Sequence, residues 1–152
     1  MIAAINGPAY RHMELPLLCD IVLASDTAVF VDSGHFVRGN LVPGDGINVV
    51  TQWLMGPNRS RYFHLTGQQL TAQEAKDYGL INEILPKSKV LERAWHLARE
   101  IGKKPLLQLR YTRAILTQPL KTLMHDLVGY GLALEGLALT DPSAPFAKLE
   151  AK

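Results

Sequence analysis

The sequence predicts an α/β fold. Short apolar runs without alternation recur near the amino terminus, at residues 2–5, 21–24 and 28–31. Runs of this length and character suit strands buried in a parallel sheet. Between and after them the apolar spacing changes to the helical period, at residues 13–19, after Gly46 and again from Lys89. Strands alternating with helices, followed by a helical tail, define that class.

Each element follows from its residues. The run at 2–5 is a strand broken by Asn6-Gly7-Pro8. Residues 13–19 are apolar nearly all round and predict a buried helix or, given Pro16, an irregular turn of one. Residues 34–46 read as a glycine-rich loop ending Val42-Pro43-Gly44-Asp45-Gly46. A helix after it carries Val49, Val50, Trp53 and Leu54 on one face and stops at Gly56-Pro57. Residues 59–65 form another, closed by Thr66-Gly67. Thr71 is the N-cap of the next, with Glu74 as its capping-box partner. That helix ends at Gly79, and residues 80–85 return as a strand before Pro86. Helices then cover 89–101, 105–117 and 119–139, with Pro105 and Pro119 at first-turn positions. The organisation is a core over 1–86 and a helical tail over 87–152. Three or four strands are few for a sheet covered on both faces, and the chain opens inside a β-α-β unit, so an amino-terminal part of a larger domain is expected to be missing.

Composition narrows the function classes. The 152 residues are 47% hydrophobic and 20% charged, which excludes a disordered, collagen-like or disulfide-scaffold chain. The 16 basic and 14 acidic residues give a net charge of +2, no electrostatic reason to expect nucleic acid or an anionic membrane. A lone Cys19 rules out an internal disulfide and fits a reducing compartment. The apolar stretch at 15–24 is interrupted by Asp20 and too short to span a bilayer. No signal-like leader precedes the first strand, and Ala147-Lys148-Leu149, a peroxisome-like tripeptide, is not terminal. The expected location is cytoplasmic.

The chemistry-bearing residues are few. Zinc spacing, a P-loop and a G-x-G-x-x-G fingerprint are all lacking from the sequence. Tyr10, Arg11 and His12 stand at a strand-to-helix turn, where glycine is usual if a ligand approaches the backbone. His35 and Asp45 share a glycine-rich loop ten residues apart. They either meet as a base and its orienting carboxylate, or cap a loop and the following helix; spacing alone favours capping. His12 is a substrate contact or a surface turn histidine. Glu135 has Gly131, Leu132, Ala138 and Leu139 as helical neighbours, which favours a buried carboxylate over a polar stripe. His64, His96 and His125 lack mutual ligand spacing and read as structural or surface. Arg59, Arg61, Arg110 and Arg113 read as solvated faces.

Several stretches resemble the crotonase (enoyl-CoA hydratase/isomerase) superfamily: residues 2–7, Glu14-Leu15, residues 19–25, Leu41-Val42-Pro43-Gly44, Leu65-Thr66-Gly67 and residues 72–83. The similarity runs in order over roughly residues 2–85. It implies a crotonase-like ββα spiral, here without its amino-terminal part, and a carboxyl-terminal helical region that trimerises. The departures sit where chemistry lies. Arg11-His12 replace the turn glycines whose backbone N–H helps hold a CoA thioester. Glu14 matches one hydratase glutamate, but Gly34-His35 stands where the second belongs. Asp45 replaces a usual alanine.

Gly34-His35-Phe36 and Pro43-Gly44-Asp45-Gly46 resemble the β-diketone hydrolases of that superfamily, the group of 6-oxocamphor hydrolase. That resemblance implies a His35–Asp45 dyad that activates water, His12 as substrate contact and Glu135 lining the site, with further site residues before Met1. It implies retro-Claisen cleavage of a cyclic β-diketone without a cofactor or metal, in a homotrimer or hexamer. Two alternatives stand beside it: a CoA-thioester hydratase or isomerase, and an inactive fragment acting only as an interaction module.

Overall fold

The computed structural model describes residues 1–143. Its centre is a parallel three-stranded sheet in the order β1 (Ile2–Ile5), β2 (Ile21–Ser25), β5 (Glu83–Leu85). Ile2 pairs with Ile21 and Leu23 with Glu83. A two-stranded antiparallel ribbon, β3 (Val29–Phe30) with β4 (Leu70–Thr71), lies beside it. Buried Val22, Leu23 and Ala24 explain why β2 shows no alternation: both faces are covered.

The helices and the last strand follow the sequence signals with five corrections. The apolar run after the first turn forms only α1 (Glu14–Leu17), with Met13 and Leu17 fully buried. The stretch 34–46 is not all loop, since α2 (Phe36–Gly39) winds one turn and closes at Asn40, whose φ of 56° is left-handed. In α3 (Ile47–Met55), Val49 and Val50 are buried but Trp53 is 47% exposed, because Ile47, Val50 and Thr51 define the inner face. Strand β5 takes up only the end of the run at 80–85; Leu80 and Ile81 are buried in the core ahead of it. Pro119 does not begin a helix. It lies inside α7 (Leu106–Ala138), one continuous helix of 33 residues. A proline there removes one N–H donor, leaving the carbonyl of Ile115 to water on an exposed turn.

Between these lie α4 (Pro57–Thr66) and α5 (Ala72–Asp77). Gly67 ends α4 at φ 65°, and the Thr71–Glu74 capping box is formed in both directions. After β5, a 3-10 turn (Lys87–Lys89) leads into α6 (Val90–Gly102), which packs Val90 and Ala94 on Leu23. The main core joins Phe30, Val50, Phe63, Leu70 and Leu80 beneath β2 and α3. Helix α7 touches this body at a few points: Arg113 donates to Asp20 at 2.8 Å, Met124 packs on the core, and Gly131 meets Gly44. No helix among the described residues is long and apolar enough to cross a membrane. The tripeptide at 147–149 lies outside the described residues.

Candidate active site

The end of β3 aims the site. Val31 is buried, and the chain then turns through Asp32-Ser33-Gly34 to His35, the N-cap of α2. Asp32 stabilises this turn by accepting the backbone N–H of His35 at 3.2 Å and facing its ring Nδ1 at 2.8 Å, both through Oδ1. Its other oxygen, Oδ2, lies 3.0 Å from Nδ1 of His64. His64 projects from α4, edge-on to Phe63, and its Nε2 lies 2.9 Å from the Thr51 hydroxyl of α3. The Thr51 hydroxyl also lies 2.8 Å from the Ile47 carbonyl and 2.8 Å from the Ser60 hydroxyl.

An ionised carboxylate only accepts hydrogen bonds. Burial pushes the Asp32 carboxyl up, but hydrogen bonds from His35 and His64, reinforced by their charge, outweigh it and hold the group far below the usual range. Both rings therefore direct a protonated Nδ1 at Asp32, so a neutral His35 presents Nε2 as its free base. Burial pulls the His35 pKa down. The Asp32 hydrogen bond and the charges of Asp32, Asp45 and Glu135 prevail and raise it above its ordinary value.

On the Nε2 side the site opens. Asp45 Oδ2 lies 3.7 Å from His35 Nε2 and 3.7 Å from His12 Nδ1, while its Oδ1 accepts the Ile47 N–H at the start of α3 at 3.2 Å. One carboxylate thus caps a helix with one oxygen and faces two histidines with the other. The close ring partner expected in Asp45 is instead Asp32, on the opposite nitrogen. Glu14, buried at the head of α1, accepts from His12 Nδ1 at 3.1 Å. His12 itself is exposed and sits at φ 50°, a conformation that costs a non-glycine residue about 1 kcal/mol or more. It holds the turn at which glycine would be free of that strain.

Glu135 reaches the site from α7. There α7 crosses the Gly44 loop at van der Waals range: a Cβ on Gly44 would lie 2.2 Å from the Gly131 carbonyl oxygen. Two side-chain-free residues let these backbones touch, and Glu135, one turn beyond Gly131, swings over Gly44. Its Oε2 is buried without a hydrogen-bond partner among the described residues. The burial expected from apolar helical neighbours has a different cause, since Leu132 and Leu139 are exposed.

His12, Glu14, Asp32, His35, Asp45 and Glu135 all line one pocket of about 300 Å³. The four residues singled out in the sequence, His12, His35, Asp45 and Glu135, are thus brought together. His12, Glu14 and Asp45 each place a ligand-type atom within 4.8 Å of the others, a spacing able to hold a cation. The Glu14–His12 hydrogen bond already accounts for that geometry. The pocket can supply a base, the carboxylates of Asp45 and Glu135 on its open side, and a polar donor.

Sequence reasoning missed Asp32 and His64. The available signal was a set of polar residues at helical spacing, Ser60 and His64, on the α4 face that buries Phe63. His96 and His125 do not join the site.

Residues 1–127 match the enoyl-CoA hydratase/isomerase family. The chain is 34% identical to the short-chain-enoyl-CoA hydratase of Clostridioides difficile, over 74% of this chain and 72% of that protein. It is 32% identical to the 2,3-dehydroadipyl-CoA hydratase of Escherichia coli, over 78% of this chain and 46% of the other. Among solved structures it superposes on a β-diketone hydrolase from the cyanobacterium Anabaena bound to (S)-3-oxocyclohexyl acetic acid. The TM-score is 0.89 at 48% identity, covering 92% of this chain and 56% of that one. The chain spans about half the length of several curated relatives it matches. It belongs to the enoyl-CoA hydratase/isomerase, or crotonase, family.

Proposed function

We propose that this site hydrolyses a carbon–carbon bond in a cyclic β-diketone. One observation carries the reading: a partly buried His35, its Nδ1 side occupied by Asp32, opens its Nε2 and the Asp45 carboxylate onto a pocket shared with His12 and Glu135. The 48% identity to the Anabaena β-diketone hydrolase supports it.

In the reaction, His35 Nε2 takes a proton from water as the oxygen adds to one carbonyl carbon. Asp45 holds the imidazolium that results. The tetrahedral adduct collapses by breaking the bond to the central carbon, and the electron pair moves into the second carbonyl as an enolate. His12, its Nδ1–H held by Glu14, donates to that oxygen from Nε2 in its imidazolium form, taking the place of backbone donors. The proton held by His35 returns to the carbon, with Glu135 assisting its transfer, to give a keto acid. Water and diketone balance the product, and the second carbonyl is the electron sink, so the steps call for no cofactor.

The test is to incubate the full-length gene product with a bicyclic 1,3-diketone and follow loss of the enol absorbance. Turnover surviving in both His35→Ala and Asp45→Asn sinks the mechanism.

A second reading, hydration or isomerisation of a CoA thioester, draws on Glu14, buried in the same pocket, and on the names of the hydratase relatives. Crotonyl-CoA hydration by the same preparation, abolished in Glu14→Gln, would establish it. For assembly we favour a homotrimer or a hexamer. Support comes from apolar side chains that α7 leaves exposed, such as Tyr111, Ile115 and Leu116. Sedimentation equilibrium measures the mass directly.

A further inference from the structure

Behind His35 lies a polar chain that the reaction as written does not use. The side chains of Asp32 and His64 are 9% and 8% exposed, and Thr51 and Ser60 are fully enclosed. Burying a carboxylate and an imidazole costs stability unless every polar atom is paired, and an apolar filling of the same space is often as stable. Here every polar atom is paired. His35 holds one oxygen of Asp32 and His64 the other, and Thr51 fixes the far nitrogen of His64.

Only one nitrogen of His35 can do chemistry, so only one carboxylate can orient the ring. Asp32 has the closer claim, since it bonds both the ring and the backbone N–H of the same residue. Asp45 stands 3.7 Å from the opposite nitrogen, on the pocket side. We propose that Asp32, gripped by His64, is the positioning residue of the site: it fixes His35 as the Nδ1–H tautomer with Nε2 turned to the pocket, leaving Asp45 to act on the reacting side. His64 is the clamp on Asp32. Without it Oδ2 has no donor, and the carboxylate is free to turn from the ring. This rests on the reading of His35 as the general base, but it concerns tautomer and charge, which are measurable without turnover.

The groups facing His35 are Asp32 from its own loop, Asp45 before α3, Glu135 from α7, and the His12–Glu14 pair across the pocket. Removing Asp32 takes away the nearest negative charge and the acceptor together. Asparagine separates the two effects. Its single carbonyl oxygen, kept near His35 by the backbone N–H, still accepts from the ring while the charge is gone.

The experiment combines histidine ¹⁵N NMR of the full-length gene product with kcat and KM for a bicyclic 1,3-diketone as a function of pH. In the wild type, neutral His35 carries its proton on Nδ1. In Asp32→Ala, His35 loses that preference, kcat falls about a hundredfold or more with little change in KM, and the ascending limb moves to lower pH. In Asp32→Asn the limb moves likewise, but more of kcat survives. His64→Asn, whose amide can donate where Nδ1 stood, keeps the tautomer, and His64→Leu loses it. An unchanged His35 tautomer and pH limb in Asp32→Ala, with only a lower melting temperature, would reduce Asp32 to a structural role. If Asp32→Ala does not fold, the two His64 variants decide: equal effects of Asn and Leu overturn the proposal. A wild type that turns over no diketone defeats the hydrolase reading instead, and the tautomer spectra still decide the role of Asp32.

Discussion

On the Nδ1 side of His35, four polar side chains from a loop and two helices close on one another and each finds a partner. On the opposite wall, His12 is exposed on a left-handed turn, Asp45 stands 3.7 Å from either histidine, and Glu135 Oε2 is buried without a donor among the described residues. The same pocket thus has a fully paired wall and an incompletely paired one. A paired buried network rigidifies what it holds, whereas unpaired groups are ready to bond something that arrives. The first wall fixes the base, and the second leaves room for the reacting groups.

The largest effect should come from the residue where the two walls meet. His35→Ala removes the base and should lower kcat about a thousandfold, with the fold intact by circular dichroism. Asp45→Asn comes next. It leaves the paired wall alone, so it should cost about a hundredfold in kcat while His35 keeps its Nδ1 proton by NMR. A tautomer change in that variant would erase the distinction between the walls.

The α7 contribution can be broken without touching a polar group. Gly44→Ala would set a methyl 2.2 Å from the Gly131 carbonyl oxygen, and neither backbone can yield locally. Overpacking of this kind costs roughly 1–3 kcal/mol, so the melting temperature should drop by several degrees. Activity should fall with it, because Glu135 is displaced from the pocket. Gly129→Ala, two residues from the contact and with open space around it, is the control expected to leave melting unchanged or slightly raised.

How much of this was legible depended on the range of the contact. The Thr71–Glu74 box and the glycine stop at Gly67 are local hydrogen-bond chemistry, and the structure repeats them as read. His12, His35, Asp45 and Glu135 were found through resemblance, since their meeting depends on a loop fold and a helix crossing that no spacing reveals. Asp32 escaped despite lying three residues from His35, because its second contact is with His64, 32 residues away in sequence. A histidine on an otherwise unremarkable helix carries no sign of burial until its α3 neighbour Thr51 is known. Pro119 misled for the opposite reason: a local rule predicted a helix start, yet an exposed helix can lose one hydrogen bond to water and continue.

The smallest expected effect is on the pH dependence of stability, and it separates the walls most cleanly. Asp32 titrates below its unfolded value of about 3.9, so its contribution is present above that pH and is lost as pH falls toward the depressed native value. His35 titrates above its unfolded value of about 6.5, so its contribution is complete below that pH and is lost as pH rises through the raised native value. The two windows overlap between about pH 4 and 6.5. There the melting temperature of Asp32→Asn should trail the wild type by the widest margin, narrowing on both the acid and the alkaline side. Asp45→Asn should show no comparable maximum, because one of its oxygens serves a helix start and the other only faces the open pocket. A margin for Asp32→Asn that is flat from pH 4 to 8 would mean that the Asp32–His35 contact is not an ion pair in solution.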